Sequence, residues 1–536
     1  MWNAATPDAL TVPPGNARID FPIVLLSFAL FLSFFTTAWV AEDAYITFRV
    51  VDNALNGHGL VWNPGERVQV YTHPLWFFLL LAGSSLYDNP YVACLVISAL
   101  CVVATFWLAL KTLRPCGVLS FLVLFLLFFS RAFVDYMTSG LENPLVYLFV
   151  ALFLWVYLER EKHRHCLFFL TLIAAAMYLS RPDSIVLIFP ALLHVFLADE
   201  KPWPRKIALL LLGGLPALAW VLFSLVYYGA PVPNTALAKV MTGISTAEYL
   251  AQAVQYTLHT LQTDTVTVVL LLAGCLVGFW QSSWRLKALS LGIFLWFAYL
   301  AAVGADYMAG RFFSIPVLFA VLTLARALRD RPFGKPGVVL LVALALALPQ
   351  ARFTLFSPVA YNSREISPFG VADERGYYYP GTGLRPALKR SGEVTAQHFW
   401  VSLGGALKDA MIPGGGVYVA CQIGMLPYTA GADFHWVDAL ALSDAFLARL
   451  PARSGNRVGH YERALPPGYL ESVLTKQNRV ADPALARLYD DVALATTGDI
   501  FRWERLAAIF RLNTGFHRNA AANFDREAVG LPGLPV

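Results

Sequence analysis

Charged residues are scarce in this chain: Asp, Glu, Lys and Arg make up 14% of its 536 residues, while 57% are hydrophobic. Soluble domains carry roughly 25% charged residues, so the composition excludes an ordinary soluble protein and is typical of a chain embedded in lipid. The formal net charge of +5 is small for this length and gives no reason to expect nucleic acid as a partner.

Cysteines are also few, six in all, and five of them lie in or beside apolar runs, which predicts no structural disulfide. No cleavable signal peptide is expected, because the first apolar run, Phe21 to Val40, is too long for one and predicts a retained helix. The glycine run 414–416 lacks the Gly-Lys-Ser/Thr ending of a phosphate loop, so it predicts a turn before a strand.

Long apolar runs dominate the first two thirds of the chain. A spanning helix needs about 20 apolar residues, and fewer where neighbouring helices shield it. Eleven runs are candidates: 21–40, 91–110, 117–133, 144–158, 167–180, 185–198, 207–227, 265–281, 288–303, 312–328 and 336–350. A further stretch, Pro74 to Tyr87, is ambiguous, and every later loop would change sides if it crossed the bilayer.

The distribution of Lys and Arg decides this ambiguity, because short cytoplasmic loops collect these residues. If Pro74–Tyr87 does not cross and the N-terminus is inside, the cytoplasmic segments hold fifteen Lys and Arg and the opposite loops hold six. The sequence therefore predicts eleven transmembrane helices, a re-entrant or interfacial helix at Pro74–Tyr87, and a tail outside the cytoplasm. We expect a multi-pass protein of the cytoplasmic (inner) membrane.

The tail differs from the rest of the chain in being rich in Gly, Pro and charge. Its pattern predicts a helix over Glu393–Met411 and strands over Gly416–Ile423 and Phe434–Leu440. We therefore expect two domains, a transmembrane domain over 1–350 and an extracytoplasmic α/β soluble domain over 351–536.

Polar motifs gather in the loops predicted to face away from the cytoplasm. Glu42 and Asp43 come directly after the first helix, and a carboxylate pair at a membrane boundary is costly to desolvate and often functional. The other loops on this side contribute 138–143, 180–183, 227–235 and 304–312. Because all of them fall on one face under a topology chosen from charge alone, the sequence predicts a single external active site.

The first of these loops carries a specific resemblance. The stretches Asp43–Arg49 and Asn56–Trp76 resemble the first outer loop of the arabinofuranosyltransferases that finish mycobacterial cell-wall arabinan. Further stretches continue the match: 228–235, 304–312, 424–431 and 444–451. This family has two Asp at the position of Glu42-Asp43, so Asp43 matches the catalytic position better than Glu42 does.

The resemblance implies a C-type (GT-C) glycosyltransferase fold, with an N-terminal helical core and an outer C-terminal domain. It also implies a polyprenyl-phosphate sugar donor, typically a polyprenyl-phospho-arabinofuranose. The acceptor would be a glycan of the cell envelope, such as arabinan, or a protein, because arabinosyltransferases that modify type IV pilins are also similar.

The reaction would replace a phosphate at the anomeric carbon by an acceptor hydroxyl, and a carboxylate could remove the proton of that hydroxyl. We assign this role to Asp43, with Glu42 as its partner or as a ligand of the acceptor; Asp43 could instead stabilise an oxocarbenium-like transition state. The leaving phosphate needs cations, and the candidates, in order, are Arg181, Arg311, Lys239, His73 and Arg49.

Candidate ligands of the sugar or the acceptor are Glu142, Asp306, Asn234 and His58. No cofactor is required. A divalent cation could bind Glu42, Asp43 and Glu142, since carboxylate clusters suit hard cations, but the sequence has no metal-ligand motif. Two alternatives stay open: a GT-C transferase for another polyprenyl-phosphate sugar, such as mannose or aminoarabinose, and a transporter of lipid-linked sugar.

Overall fold

A computed structural model describes residues 21–113, 117–160, 163–240, 242–356, 366–368, 370–410, 416–455 and 458–527. The fold is mostly helical, with one small sheet near the C-terminus. The helices of the first two thirds are α1 Phe21–Thr37, α2 Glu42–Leu55, α3 Pro74–Leu86, α4 Pro90–Thr112, α5 Val118–Phe125, α6 Arg131–Tyr136, α7 Asn143–Glu159, α8 Cys166–Ser180, α9 Ile185–Ala198, α10 Trp203–Tyr227, α11 Asn234–Val240, α12 Thr246–Thr263, α13 Thr265–Val277, α14 Trp284–Val303, α15 Arg311–Leu328 and α16 Gly334–Ala351.

Five of these helices are long and apolar enough to cross a bilayer: α4, α10, α14, α15 and α16. The pair α12 and α13 would add a sixth span, although it is bent by 116° at residue 264. Every one of the eleven apolar runs contains helix, and six apolar helices are shorter than a usual span. The helical membrane architecture is therefore confirmed, whereas the count of eleven crossings stays a prediction.

Two of the predicted spans are interrupted. Run 117–133 divides into α5, a 3₁₀ turn at Leu126–Phe129 and α6, because Ser130 leaves the helical conformation and accepts a hydrogen bond from the backbone N–H of Phe133. Run 265–281 ends as α13 followed by a 3₁₀ turn at Gly278–Trp280.

The segment after α1, which the sequence predicts to face away from the cytoplasm, is not an open loop, because its first part forms helix α2. Glu42 and Asp43 occupy the first turn of this helix, where negative charge is favourable to the helix dipole. The ambiguous stretch beginning at Pro74 is helical as well, and Pro74 occupies its first position.

Helix α12 was missed by the hydropathy analysis because it is amphipathic rather than apolar. Its start carries a capping signal, Ser245 followed three residues later by Glu248, and the Ser245 Oγ accepts from the Glu248 backbone N–H at 3.3 Å. That signal could have predicted the helix.

The tail contains eight α-helices and two short strands among its described residues. They are α17 Glu374–Thr382, α18 Leu384–Leu388, α19 Phe399–Asp409, β1 Val417–Ala420, α20 Met425–Ala430, β2 His435–Asp438, α21 Tyr469–Thr475, α22 Pro483–Thr497, α23 Trp503–Asn513 and α24 Arg518–Ala522. The strands pair in parallel, with Val417 opposite His435. Both predicted strands are thus confirmed, and the predicted helix 393–411 is shorter, at Phe399–Asp409; glycines 414 and 415 lie outside the described residues.

The tail packs closely on the part of the chain that follows α1. One hydrophobic core contains side chains of α2, α3 and α4 together with tail residues between Ile423 and Trp436. A second core lies within the membrane helices, and a third lies mostly in the tail. The start of α2, which carries the acidic pair, is therefore fixed between the membrane helices and the tail.

Candidate active site

Arg311, the first residue of α15, lies at the centre of a cluster of three carboxylates. Its guanidinium is 3.4 Å from the Asp43 carboxylate, 3.8 Å from that of Asp306 and 3.9 Å from that of Glu142. The Nε of Arg311 is buried and makes no hydrogen bond within the described part of the chain. One cation thus joins three of the outer segments in which the sequence predicted functional residues.

Glu142 is the most enclosed carboxylate of this cluster, at 1% exposed. Its oxygens lie 3.3 Å from His73 Nδ1 and 3.4 Å from Arg181 Nη1. Burial alone would raise its pKa, but His73, Arg311 and Arg181 together hold the pKa of Glu142 below its ordinary value. Glu142 is therefore an anion that organises the surrounding cations.

His73 links the cluster to helix α2. Its Nε2 lies 2.9 Å from the Thr47 Oγ1, and its other ring nitrogen faces Glu142. Burial lowers the pKa of His73, which the adjacent Glu142 opposes. The ring thus connects Thr47 of α2 to Glu142, the residue directly before α7.

Arg181 lies close to the cluster, but its guanidinium already binds another carboxylate, that of Asp183. Its guanidinium binds both carboxylate oxygens of Asp183, at 2.9 and 3.2 Å, and it lies 4.9 Å from the ring centre of Phe312. A cation held this firmly is better suited to orienting Glu142 than to moving toward a ligand.

Asp43 is the accessible member of the cluster, since its side chain is 26% exposed whereas those of Glu142 and Asp306 are 2% exposed. Burial of the carboxyl raises the pKa of Asp43, against the opposing effect of Arg311 and Lys239. Lys239 lies on α11, is exposed, and makes no ion pair with any described residue. A partly exposed carboxylate thus lies near one partly buried cation, Arg311, and is also influenced by one exposed cation, Lys239.

Glu42 points away from this cluster and toward the tail. Its Oε1 accepts hydrogen bonds from the backbone N–H groups of Gly424, at 2.7 Å, and Met425, at 3.0 Å. Burial, followed by the adjacent charge of Asp43, raises the pKa of Glu42 to about 8. The adjacent acidic residues therefore have different surroundings, one facing the cations and the other capping the start of α20.

Three other candidates lie outside the cluster. Arg49 is 2% exposed and donates to the carbonyl oxygens of Trp62, Pro427, Gly431 and Phe434, so it fastens α2 to the tail. Asn234 donates to the carbonyl oxygens of Ala441, Leu442 and Asp444. His58 is exposed on the turn after α2.

Two further ion pairs, which were not predicted from the sequence, join residues 131–135 to residues 373–375. Arg375 contacts Asp135 at 2.6 Å, both side chains being buried, and Arg131 contacts Asp373 at 3.2 Å. Arg131 and Asp135 are polar residues one helical turn apart in an apolar run, which was a signal, but their partners lie about 240 residues away. No group of three His, Cys, Asp or Glu within the described ranges could hold a metal ion.

Sequence comparisons find that parts of this chain are similar to glycosyltransferases. Residues 72–228 match the profile of a family described as dolichyl-phosphate-mannose-protein mannosyltransferase. This segment includes His73, Glu142 and Arg181 of the cluster. No solved structure matches the chain.

Two curated relatives are more specific, and both are described as terminal beta-(1->2)-arabinofuranosyltransferases. The Mycobacterium tuberculosis protein is 31% identical over 230 residues, which are 38% of this chain and 35% of the relative. The Corynebacterium glutamicum protein is 26% identical over 396 residues, which are 64% of this chain and 55% of the relative. The matches thus span about half, or less, of the relatives' own length. The predicted resemblance is confirmed as a distant similarity, at 26–31% identity, to terminal beta-(1->2)-arabinofuranosyltransferases over part of the chain.

Proposed function

We propose that this protein is a membrane glycosyltransferase that transfers an arabinofuranosyl residue from a polyprenyl-phosphate donor to a glycan or protein of the cell envelope. The observation that carries the proposal is the position of Asp43, an accessible carboxylate 3.4 Å from the partly buried cation Arg311. Glycosyl transfer from a phosphate requires these two functions side by side, a base for the acceptor and a cation for the departing phosphate.

In the proposed reaction, Asp43 accepts the proton of the acceptor hydroxyl while the hydroxyl oxygen bonds to the anomeric carbon. The bond from that carbon to the phosphate oxygen breaks, and the polyprenyl phosphate leaves as an anion. A carboxyl group whose pKa is raised by burial is a stronger base than an exposed aspartate, which favours this role. Positioned bases of this kind contribute roughly 10²–10⁴-fold to rate.

The phosphate would bind Arg311, whose Nε has no hydrogen bond among the described residues and whose ion pairs of 3.4–3.9 Å are long. Lys239 would be the second ligand, because it is exposed and its charge reaches Asp43. Arg181 and His73 would hold Glu142 in place beside them, and Asp306 would contact the sugar or the acceptor.

The lipid tail of such a donor stays in the bilayer, so a site at the ends of α7 and α15 would receive its phosphate at the membrane surface. We place this site on the outer face of the cytoplasmic membrane, following the distribution of Lys and Arg. A mannose donor is the second candidate, because residues 72–228 match a mannosyltransferase family.

A donor screen tests the proposal. Purified protein in lipid vesicles would receive polyprenyl-phospho-arabinofuranose or polyprenyl-phospho-mannose, with arabinan and pilin as acceptors, and mass spectrometry would measure the added mass. We expect a pentose on one acceptor and loss of the product in Asp43→Asn. The matched control is Asp52→Asn, because Asp52 lies on the same helix and its carboxylate accepts a hydrogen bond from the Asn56 side chain, away from the cluster around Arg311. A hexose would favour the mannose donor, and equal turnover by Asp43→Asn would refute the assignment of the base.

A further inference from the structure

A cavity lies at the far ends of α14 and α15, the two helices that lead to the candidate active site. It has a volume of about 250 Å³ and is lined by the start of α14, the end of α15 and the segments next to them. Arg311 begins α15 and Arg326 lies near its end, 15 residues later, which corresponds to roughly 22 Å along the helix. The cavity is therefore remote from Asp43 and belongs to the other end of the helical bundle.

The charge of this cavity is positive. Its described lining residues include Arg285, Arg326 and Arg331 and a single carboxylate, Asp330. Arg331 is exposed and forms no ion pair with a described residue, and the buried Nε of Arg326 makes no hydrogen bond there. Glu159 lies nearby, where it is 3.5 Å from Arg329 and 3.8 Å from Arg326. Even with these ion pairs, the arginines outnumber the carboxylates.

Exposed aromatic residues beside the cavity indicate where a ligand would come from. Phe279, Trp280 and Trp284 adjoin the lining residues Gln281, Ser283 and Arg285 in the sequence and are 71–75% exposed. Large aromatic side chains are costly to expose to water but are enriched where a membrane meets water. A polar, cationic cavity beside an exposed aromatic rim is suited to a molecule with an anionic head and an apolar body.

We propose that this cavity binds the phosphate headgroup of an anionic phospholipid in the leaflet opposite the candidate active site. Guanidinium groups bind phosphate oxygens through paired, charge-assisted hydrogen bonds, and basic cavities between membrane helices suit anionic headgroups. The acyl chains would lie along the exposed apolar surface next to Phe279. This site would hold the ends of α14 and α15 in place without contacting the sugar donor.

Native mass spectrometry of the full chain tests the proposal, with phosphatidylglycerol and phosphatidylcholine added in equal amounts. The wild type should retain phosphatidylglycerol preferentially. The double variant Arg285→Gln/Arg331→Gln should retain about tenfold less, since two charge-assisted contacts are lost. The matched control is Arg502→Gln/Arg518→Gln, which removes the same charge from exposed positions of the tail and should retain lipid as the wild type does.

The proposal would be overturned if the wild type retained the two lipids equally. It would also be overturned if the double variant retained as much phosphatidylglycerol as the wild type. Displacement of the lipid by glycerol phosphate at the same concentration would overturn it as well, because the ligand would then be a free phosphate. A photoactivatable phosphatidylglycerol provides a test that needs no variant. It should label peptides containing residues 279–286 and 326–331, and labelling confined to other segments would count against the site.

Discussion

The guanidinium of Arg311 lies 3.4 Å from the carboxylate of Asp43, although 268 residues separate the two along the chain. This contact joins the first turn of α2 to the first turn of α15. It also places the most accessible acid of the cluster beside its most central cation.

Replacing Arg311 by Lys should raise the KM for the donor more than it lowers kcat. Lysine keeps the positive charge but cannot present several N–H groups in a plane to a phosphate and to the surrounding carboxylates. Steady-state kinetics with varied donor would measure the effect, which we expect to be about tenfold or more in KM. Arg502→Lys in the tail is the control, and an unchanged donor KM in Arg311→Lys would contradict the phosphate-binding role.

Replacing Arg49 by Gln should lower stability rather than donor affinity. The Arg49 side chain donates to four backbone carbonyl groups, three of them in the tail, and glutamine would leave most of these without a donor. We expect a loss of about 3 kcal/mol in the free energy of unfolding, seen as a lower Tm in detergent. A normal Tm together with a raised donor KM in this variant would instead indicate that Arg49 binds the phosphate.

The pH dependence of stability should include a contribution from Glu42. Its pKa in the folded protein is about 8, above the ordinary value of 4.5, so the folded state binds more protons than the unfolded state between these two values. Stability from this group therefore falls as pH rises through this window and is greatest below it. Tm measured from pH 5 to pH 8 should fall less in Glu42→Gln, whose amide oxygen still accepts the two backbone bonds. Glu504→Gln, at an exposed position, should follow the wild type; identical slopes in all three proteins would exclude this contribution.

Replacing Gly424 by Ala should loosen the attachment of α20 to α2. A Cβ atom at this position would collide with the backbone oxygen and the carboxylate of Glu42. Because Asp43 follows Glu42 directly, we expect both a lower Tm and a lower kcat. Gly405→Ala is the matched control, since a Cβ there meets nothing within 4 Å and the residue lies within helix α19. Normal activity in Gly424→Ala would show that the position of Asp43 does not depend on the tail.

The sequence by itself determined the membrane character, the helices and the polar positions from which a site could be built. Hydrophobic runs predict helices because a backbone in lipid must satisfy its own hydrogen bonds, and this physical rule acts locally. Asp43, Arg311, Glu142 and His73 were all identified as candidates because polar groups at a membrane boundary are costly.

Only the tertiary structure decided which candidates belong to the cluster around Arg311 and which make structural contacts elsewhere. Glu42 and Asp43 are adjacent, yet one caps α20 and the other faces Arg311, because successive residues of a helix point in different directions. Arg49 had the same chemistry as Arg311 in the sequence, but burial against tail carbonyls fixes it as a structural contact. These distinctions depend on contacts between segments hundreds of residues apart, which no local pattern of residues encodes.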